Sequence, residues 1–499
     1  MGHVDDIVGR DAVEQRRFGV APSVTFGLGT STQLTVSYFL QHEDNIPDYG
    51  FPFLFGEPPD VRRENFYGLA KKDFEDTWTN IATVRFNHHF NEHLSLRNML
   101  RYSRVDREAF PSPPRISGNP APGTPLSQIV VASGHPGRDT TEDIFENQLD
   151  LTARFDPFGF GHTLLTGLEI GSEDFNAMRF ASSNIPTPPL LEPKPFRDTS
   201  QMTKSVSAAT DTSTFLFGVF FSDTIKLLPQ LDLVGGVRYD LFDADFINHT
   251  TNDTFARTDN LWSYRAGLVF HPWPTHSYYF AYSNSYNPSA EGLQLAANTA
   301  DTPPEENQSY EIGGKIDLLG GGLSLQGALF LTEKTNARTP DPATGLQVLD
   351  GKQRVKGFEL GLVGRPLPAL NVFLGYTYLT SEIVESNEVV NGVSVVGNEL
   401  PNAPHNGLSL WTTYDFLQRW QVGTGVFYVD ERFANNANTN VAPSYVRWDM
   451  TVGYQIHKNI QLRLNAINLT DERYFDGVHP AHVIPGAGRT IIGTALFNF

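Results

Sequence analysis

The sequence predicts an all-β protein, a transmembrane antiparallel β-barrel, and three observations support this. Stretches of about ten residues alternate apolar and polar side chains, as a tilted membrane-spanning strand requires. Short turns and long polar loops alternate between these stretches. The longest apolar run extends only from Phe215 to Phe221. A membrane-spanning helix needs roughly 20 residues, which leaves a closed barrel as the structure that satisfies its backbone hydrogen bonds in lipid.

The composition is compatible with one large sheet. Aromatic residues make up 12% of the 499 residues and 43 positions are glycine, a mixture that suits strands with one apolar and one wet face. No break in composition divides the chain, so residues 1–499 are interpreted as one barrel domain. The net charge of -19 argues against nucleic acid as a partner, because phosphates demand a basic surface. With 0 cysteines, disulfides and thiolate metal sites are excluded.

The alternation is strict within residues 148–155, 448–456 and 460–466, where every second residue is apolar and the others include arginine or aspartate. An arginine at the lipid midplane costs about 2 to 4 kcal/mol, so the polar sides must face a wet lumen. Lumen-facing charges such as Arg97 and Asp150 are expected to pair across neighbouring strands.

The pattern gives about nineteen strands. Their predicted starts are near residues 16, 32, 77, 93, 143, 162, 213, 230, 258, 276, 306, 321, 352, 370, 404, 419, 443, 459 and 487.

The connections between these strands differ in length in a regular way. The short ones are 27–31, 91–92, 157–161, 228–230, 272–274, 320–322, 366–368 and 457–459, and the long ones are 42–76, 106–142, 177–212, 287–305, 381–403 and 471–485. Short turns on one rim and long loops on the other are typical of bacterial outer-membrane barrels, which predicts that location. The last stretch, 490–499, places Ile491, Ala495, Phe497 and Phe499 on one face. It resembles the terminal signal that Gram-negative barrel-assembly machinery reads.

Five stretches carry a family resemblance: 467–474 (INLTDERY), 485–490 (PGAGRT), 304–314 (PEENQSYEIGG), 351–359 (GKQRVKGFE) and 21–29 (APSVTFGLG). They resemble TonB-dependent siderophore receptors of the catecholate type, and together they span nearly the whole chain. The resemblance implies a barrel of the 22-stranded receptor type around an N-terminal plug that carries a TonB-coupling motif.

No counterpart of the plug, the coupling motif or roughly the first three strands is found. We therefore expect an N-terminally truncated barrel without a plug domain. A sheet that lacks strands leaves unpaired edges in lipid, so we also expect a seam or a gap.

The resemblance also implies a ligand, a ferric catecholate, which is anionic and aromatic. Arginine and aromatic side chains at the outer mouth could receive it by charge and stacking. Arg432, Arg473, Tyr474 and His482 are the candidate ligand-binding residues. The alternative for each is a solvated loop residue or an ordinary interfacial tyrosine.

No metal site is predicted. His88 and His89 are adjacent on a strand, so their side chains point to opposite faces and cannot share one metal. No cofactor is expected, because ferric iron arrives with the substrate. No nucleophile elbow or phosphate loop is present, so the protein is not expected to be an enzyme.

The leading hypothesis is an outer-membrane signalling and transport receptor for ferric siderophore uptake, energised through TonB in the intact parent. Its expected partners are the siderophore, outer-membrane lipid and the TonB complex, and it is expected to be monomeric. The alternatives are a passive porin-like channel, because a barrel without a plug would hold an aqueous lumen, and a soluble sugar-binding all-β protein.

Overall fold

The computed structural model describes residues 2–6, 9–288, 303–340 and 347–497. Nearly all of the regular structure in these ranges is β-strand. The strands are, in chain order, β1 Gly2–Asp6, β2 Glu14–Val20, β3 Ser23–Phe26, β4 Thr32–Asn45, β5 Phe51–Pro52, β6 Phe74–His89, β7 Leu94–Phe110, β8 Pro114–Ile116, β9 Val131–Ser133, β10 Gly137–Phe155, β11 Gly161–Ser183, β12 Thr203–Leu228, β13 Leu231–Asn248, β14 Asp253–Phe270, β15 His276–Asn287, β16 Glu305–Leu318, β17 Leu323–Pro340, β18 Gln347–Leu367, β19 Leu370–Glu385, β20 Val389–Val390, β21 Val393–Ser394, β22 Asn406–Phe416, β23 Trp420–Val429, β24 Arg432–Phe433, β25 Val441–Ala442, β26 Tyr445–His457, β27 Ile460–Ile467, β28 Phe475–His479, β29 His482–Pro485 and β30 Thr490–Phe497.

Short 3-10 helices lie at Leu126–Gln128, Pro157–Gly159 and Leu319–Gly321. In the described part of the chain, no helix is long and apolar enough to cross a membrane.

One antiparallel sheet of 21 strands contains most of the described strands, and four small sheets lie in the long loops. Strands that follow one another in the chain pair with each other, because the connections at one end are very short, as at residues 229–230. The all-β fold predicted from the alternation is therefore confirmed.

Each of the nineteen predicted starts lies within a strand of the large sheet or just before its first residue. The predicted count is not confirmed, because the described residues contain 21 strands in this sheet. β1 was not predicted, and the segment near residue 16 contains both β2 and β3, which each pair with β4. Pro22 separates these two strands, since proline has no amide hydrogen to donate to the ladder.

The two faces of the sheet differ as the alternation predicts. Along β10, the Phe145 and Phe155 side chains are 45% and 43% exposed, whereas Asp150 on the other face is 9% exposed. Trp262 and Phe221 are also half exposed on the apolar face. Such a continuous apolar exterior suits lipid rather than water.

Charges on the polar face pair as expected. Arg238 Nη2 lies 2.8 Å from Glu169 Oε2 and 2.6 Å from Asp240 Oδ1. Arg97 Nε lies 4.0 Å from Asp150 Oδ2. Arg97 and Asp150 thus pair across the neighbouring strands β7 and β10, whereas Arg238 reaches Glu169 across β12 and also pairs with Asp240 within β13.

Several strands are much longer than a membrane requires. β11 has 23 residues and β12 has 26, whereas about 9 to 11 residues cross a bilayer. Only residues 229–230 join β12 to β13 at the short-turn rim. The residues beyond those needed to cross the bilayer therefore extend the strands on the side of the long loops. The wall thereby forms a vestibule above the lipid. The predicted loop 177–212 is correspondingly shorter, because strand continues to Ser183 and resumes at Thr203.

The principal apolar core lies in the long loops and not inside the barrel. Its buried members include Phe51, Tyr67, Val131, Leu190, Phe475 and Val483. They come from the loops after β4, β7, β11 and β27. We call this cluster the loop core. The loops are therefore packed against one another, as a small domain on the outer rim would be.

The two ends of the large sheet do not pair with each other in the described residues: β30 pairs with β27, β1 with β2, and β3 with β4. This is the seam that the sequence predicts. The loop after β4 nevertheless reaches the loop before β30 at the outer rim. Arg63 Nη1 donates to Asp471 Oδ1 at 2.6 Å, and β5 pairs with β29. We call this set of contacts the rim latch.

Substitution of Gly50 with alanine should loosen the rim latch. Gly50 has φ +64°, and a Cβ there would overlap the carbonyl oxygen of Val483 in β29. We expect about tenfold faster hydrogen exchange in the 46–56 and 478–486 peptides, because local opening costs less. Gly118→Ala is the matched control, since Gly118 has φ +66° and no atom within 4 Å of its Cβ position. Equal effects of the two substitutions would mean that backbone strain, and not the contact with β29, is responsible.

Candidate ligand site at the outer mouth

The four predicted ligand residues lie in the loops on either side of the final strands. Arg432 begins β24, Arg473 and Tyr474 precede β28, and His482 begins β29. All four surround the loop core near Phe475. The structure therefore brings them to one region, but it gives them different roles.

Arg432 is deeply buried, with 6% of its surface exposed. Its Nε donates to Asn402 Oδ1 at 2.8 Å, and its Nη2 donates to the Phe475 carbonyl at 2.8 Å. Its Nη1 is buried without a hydrogen-bond partner among the described residues. Burial lowers the pKa of Arg432, whereas Tyr445 and Asp476 raise it. A buried guanidinium with an unused donor is a favourable position for an anion.

Aromatic rings and a second arginine lie next to Arg432. The Tyr445 and Tyr474 ring centres are 4.8 Å apart. The Arg447 guanidinium lies 4.7 Å from the Phe427 ring centre and 5.7 Å from that of Tyr474. Arg447 Nη1 also donates to the Tyr474 hydroxyl at 3.4 Å. Arg447 and Tyr445 share a face of β26 with Asp449, which is the wet face.

Asp476 is close to both arginines. Desolvation raises the pKa of Asp476, and the positive charges of Arg447 and Arg432 lower it. We call Arg432, Tyr445, Arg447, Tyr474 and Asp476 the mouth cluster. Arg432 and Tyr474 were predicted as ligand residues, whereas Arg447 and Tyr445 were not among the predicted ligand residues. The signal for Tyr445 was its place at the wet-face start of a strand that follows a long loop.

Arg473 and His482 hold loops together. Arg473 Nη2 donates to the Pro59 carbonyl at 3.0 Å, and its guanidinium lies 5.6 Å from the Phe51 ring centre. His482 Nδ1 accepts from Arg115 Nη1 at 2.9 Å, and its ring stacks on His479 at 4.2 Å. Burial, followed by His479 and Arg115, lowers the pKa of His482 to about 3. At neutral pH this imidazole therefore offers no positive charge to an anion.

Metal ligands are not clustered in the described ranges: no group of three or more His, Cys, Asp or Glu side chains there could hold a metal ion. His88 instead contacts Thr32, with 2.7 Å between Nδ1 and Oγ1.

Residues 21–469 match the family described as TonB dependent receptor-like, beta-barrel. The chain belongs to the TonB-dependent receptor family. The probable TonB-dependent siderophore receptor PiuA of Acinetobacter baumannii is 31% identical over 100% of this chain and 72% of its own length. The catecholate siderophore receptor Fiu of Escherichia coli K12 is 28% identical over 100% and 72% of the two chains. The crystal structure of PiuA superposes with a TM-score of 0.92 at 28% identity, covering 100% of this chain and 76% of that one.

Membership of this receptor family confirms the outer-membrane location and the receptor barrel fold. A soluble sugar-binding protein is thereby excluded, and neither the family nor these relatives support a porin. The relatives are named as receptors, which agrees with the prediction of a protein that is not an enzyme. Because a receptor binds a ligand, this TonB-dependent receptor is expected to have a ligand site. The mouth cluster is our candidate for it.

Low pH should weaken the contact between β29 and the loop that contains Arg115. The folded-state pKa of His482, about 3, lies below its ordinary value of 6.5. The unfolded loop therefore binds a proton that the folded loop excludes. The stability of this contact should be complete above pH 6.5 and fall as the pH drops towards 3.

Hydrogen exchange of the 476–486 peptide between pH 7 and pH 4.5, corrected for the intrinsic exchange rate, measures this effect. We expect local opening to increase by up to about tenfold per pH unit below 6.5. His482→Asn keeps an acceptor near the Nδ1 position and should remove most of the dependence. His249→Asn, in the β13–β14 turn, should leave it unchanged. An unaltered pH dependence in His482→Asn would assign the effect to another group.

Proposed function

We propose that this protein is a receptor for uptake of a ferric siderophore of the catecholate type, energised through TonB in the intact protein. The observation that carries the proposal is the mouth cluster, in which the Arg447 guanidinium lies against the Phe427 and Tyr474 rings and the buried Arg432 keeps an unused donor close by. A ferric catecholate presents negative charge and aromatic rings. Arginine is suited to both, because its guanidinium binds oxyanions and stacks on rings.

Within the cluster, the parts have separable roles. The unpartnered Arg432 Nη1 and the partly compensated Arg447, whose Nη2 lies 3.1 Å from Asp449 Oδ2, supply charge. Tyr445 supplies a flat surface, and Tyr474, which is 3% exposed, packs against Tyr445 and Arg447 and holds them in place. Asp476 keeps the two arginines from repelling each other while the site is empty. An anionic chelate could take over that compensation when it binds.

The names of relatives support the substrate class. One is called a siderophore receptor and another a catecholate siderophore receptor. Coupling to TonB, contact with lipid, the monomeric state, the absence of a plug and the 22-stranded closed form remain predictions. Arg473 and His482 enter the proposal only as residues that position the loops around Phe475.

Ligand binding to the full chain in detergent micelles tests the proposal. The probe is the ferric complex of 2,3-dihydroxybenzoate, and quenching of tryptophan fluorescence reports its binding. We expect saturable binding at micromolar or lower concentration and none of ferrioxamine B, which is a cationic hydroxamate complex. Failure of the wild-type chain to distinguish the two complexes would contradict the proposed substrate class.

Arg447→Gln should weaken binding of the catecholate complex by about 10- to 100-fold, because one charged contact is worth about 1.5 to 3 kcal/mol. Arg463→Gln is the matched control. Arg463 is on the wet face of the neighbouring strand β27, and its Nη2 contacts Gln461 at 3.4 Å, away from the aromatic rings. Equal losses in both variants would indicate a general effect of lumen charge and not a site at the mouth cluster.

A further inference from the structure

Two arginines face each other directly on the inner wall of the vestibule. Arg138 of β10 and Arg179 of β11 are register partners in an antiparallel ladder that has no shift along β10. Side chains alternate between faces, so Arg138 shares the wet face with Asp150, and Arg179 shares it with Glu169. Both residues lie near the loop ends of their strands, above the stretch that crosses lipid.

This arrangement is unfavourable by itself, because like charges directly opposite each other destabilise a sheet. Two arginines of the neighbouring strand β7 have acidic partners on β10. Arg101 Nη1 lies 3.8 Å from Glu146 Oε2, lower on the same wall, and the ion pair of Arg97 with Asp150 lies lower still. Among the residues that the structure describes, neither Arg138 nor Arg179 forms an ion pair, and Arg179 Nε is buried without a hydrogen-bond partner.

The groups around this pair add hydrogen-bond donors, but among the described residues no acidic side chain forms an ion pair with Arg138 or Arg179. Arg107 of β7 is the register partner of Thr140, which places it diagonally from Arg138, and its own charge is balanced by Glu75 at 2.8 Å. Tyr49 enters from the loop after β4. Burial and then Glu75 raise the pKa of Tyr49, whereas Arg107 and Arg138 lower it. The phenol therefore lies within the electrostatic reach of this arginine pair.

Two adjacent guanidinium groups can hold an anion that presents two or more oxygens. Each guanidinium has a planar fork of donors that matches paired oxygens, and an anion between them replaces repulsion with two favourable contacts. Catecholate groups, carboxylates and phosphate all have such oxygens. A neutral or cationic ligand would leave the repulsion in place.

We propose that Arg138 and Arg179 form an anion-binding subsite on the vestibule wall, separate from the mouth cluster. As a subsite for the incoming ferric chelate it rests on the proposed function and deepens it, because it gives the chelate a second point of contact on β10 and β11. As a site for oxyanions with paired oxygens it stands on the paired arginines alone.

The test uses the full chain in an uncharged detergent, with Arg138→Gln, Arg179→Gln and the double variant. Arg154→Gln is the matched control, because Arg154 lies on the same strand and the same face, near the short turn, where its Nη1 donates to the Glu92 carbonyl at 3.4 Å. Each protein is titrated at low salt with the ferric 2,3-dihydroxybenzoate complex and, separately, with inorganic phosphate. Thermal unfolding is measured with and without phosphate.

We expect each single variant to bind the ferric complex about tenfold more weakly and the double variant more weakly still, whereas Arg154→Gln binds as the wild type does. We also expect the single variants to unfold at the same or a higher temperature than the wild type at low salt, because they remove a repulsion. A purely structural role for these arginines would lower that temperature instead.

The outcomes separate this inference from the proposed function. If the wild type ignores the ferric complex but phosphate raises its unfolding temperature, and the variants lose that rise, the proposed function fails and the subsite stands as a phosphate site. If the variants match Arg154→Gln with both probes, the subsite is overturned whether or not the ferric complex binds. Lower unfolding temperatures together with unchanged binding would also overturn it.

Discussion

The structure depends on one constraint: within lipid, every backbone amide and carbonyl must find its partner in the protein. Antiparallel pairing of each strand with its neighbours in the chain meets this requirement along almost the whole sheet. It also forces alternate side chains to opposite faces. The apolar exterior and the charged interior are therefore two consequences of the same ladder, and the charges on the inner face are balanced by neighbouring side chains, by water or by a ligand.

A wet lumen cannot supply an apolar core, so the loops supply one. The loop core gathers Phe51, Val131 and Leu190 from three different loops, and the rim latch joins the loop after β4 to the one before β30. Burial of these aromatic side chains stabilises the outer rim, as contact with lipid stabilises the apolar face of the wall. The loops consequently hold the mouth cluster in a defined geometry, with Arg432 bonded to the Phe475 carbonyl.

The sequence reveals the wall much better than it reveals the loops. A period of two residues is a local signal, so strand positions could be read from the chain itself, apart from β1 and the division at Pro22. Loop contacts are not periodic: the pairing of Arg63 with Asp471 joins residues 408 positions apart. For this reason the burial of His482 was not predictable, and the place of Tyr445 at the wet-face start of β26 could not by itself assign it to the mouth cluster. The terminal Phe499, predicted to share a face with Phe497, lies outside the described residues.

The charge of the chain also limits how an anion can reach the site. With a net charge of -19, the protein as a whole repels anions, but salt screens exposed charges beyond about 8 Å at physiological ionic strength. Attraction therefore has to come from arginines that lie near the path of the ligand and lack nearby acidic partners. Among the described residues the pair on the vestibule wall has this property, and Arg432 at the mouth keeps an unused donor although Asp476 lies close to it, whereas Arg97, Arg238 and Arg63 are already paired. Local compensation, more than net charge, determines where this barrel can hold an anionic ligand.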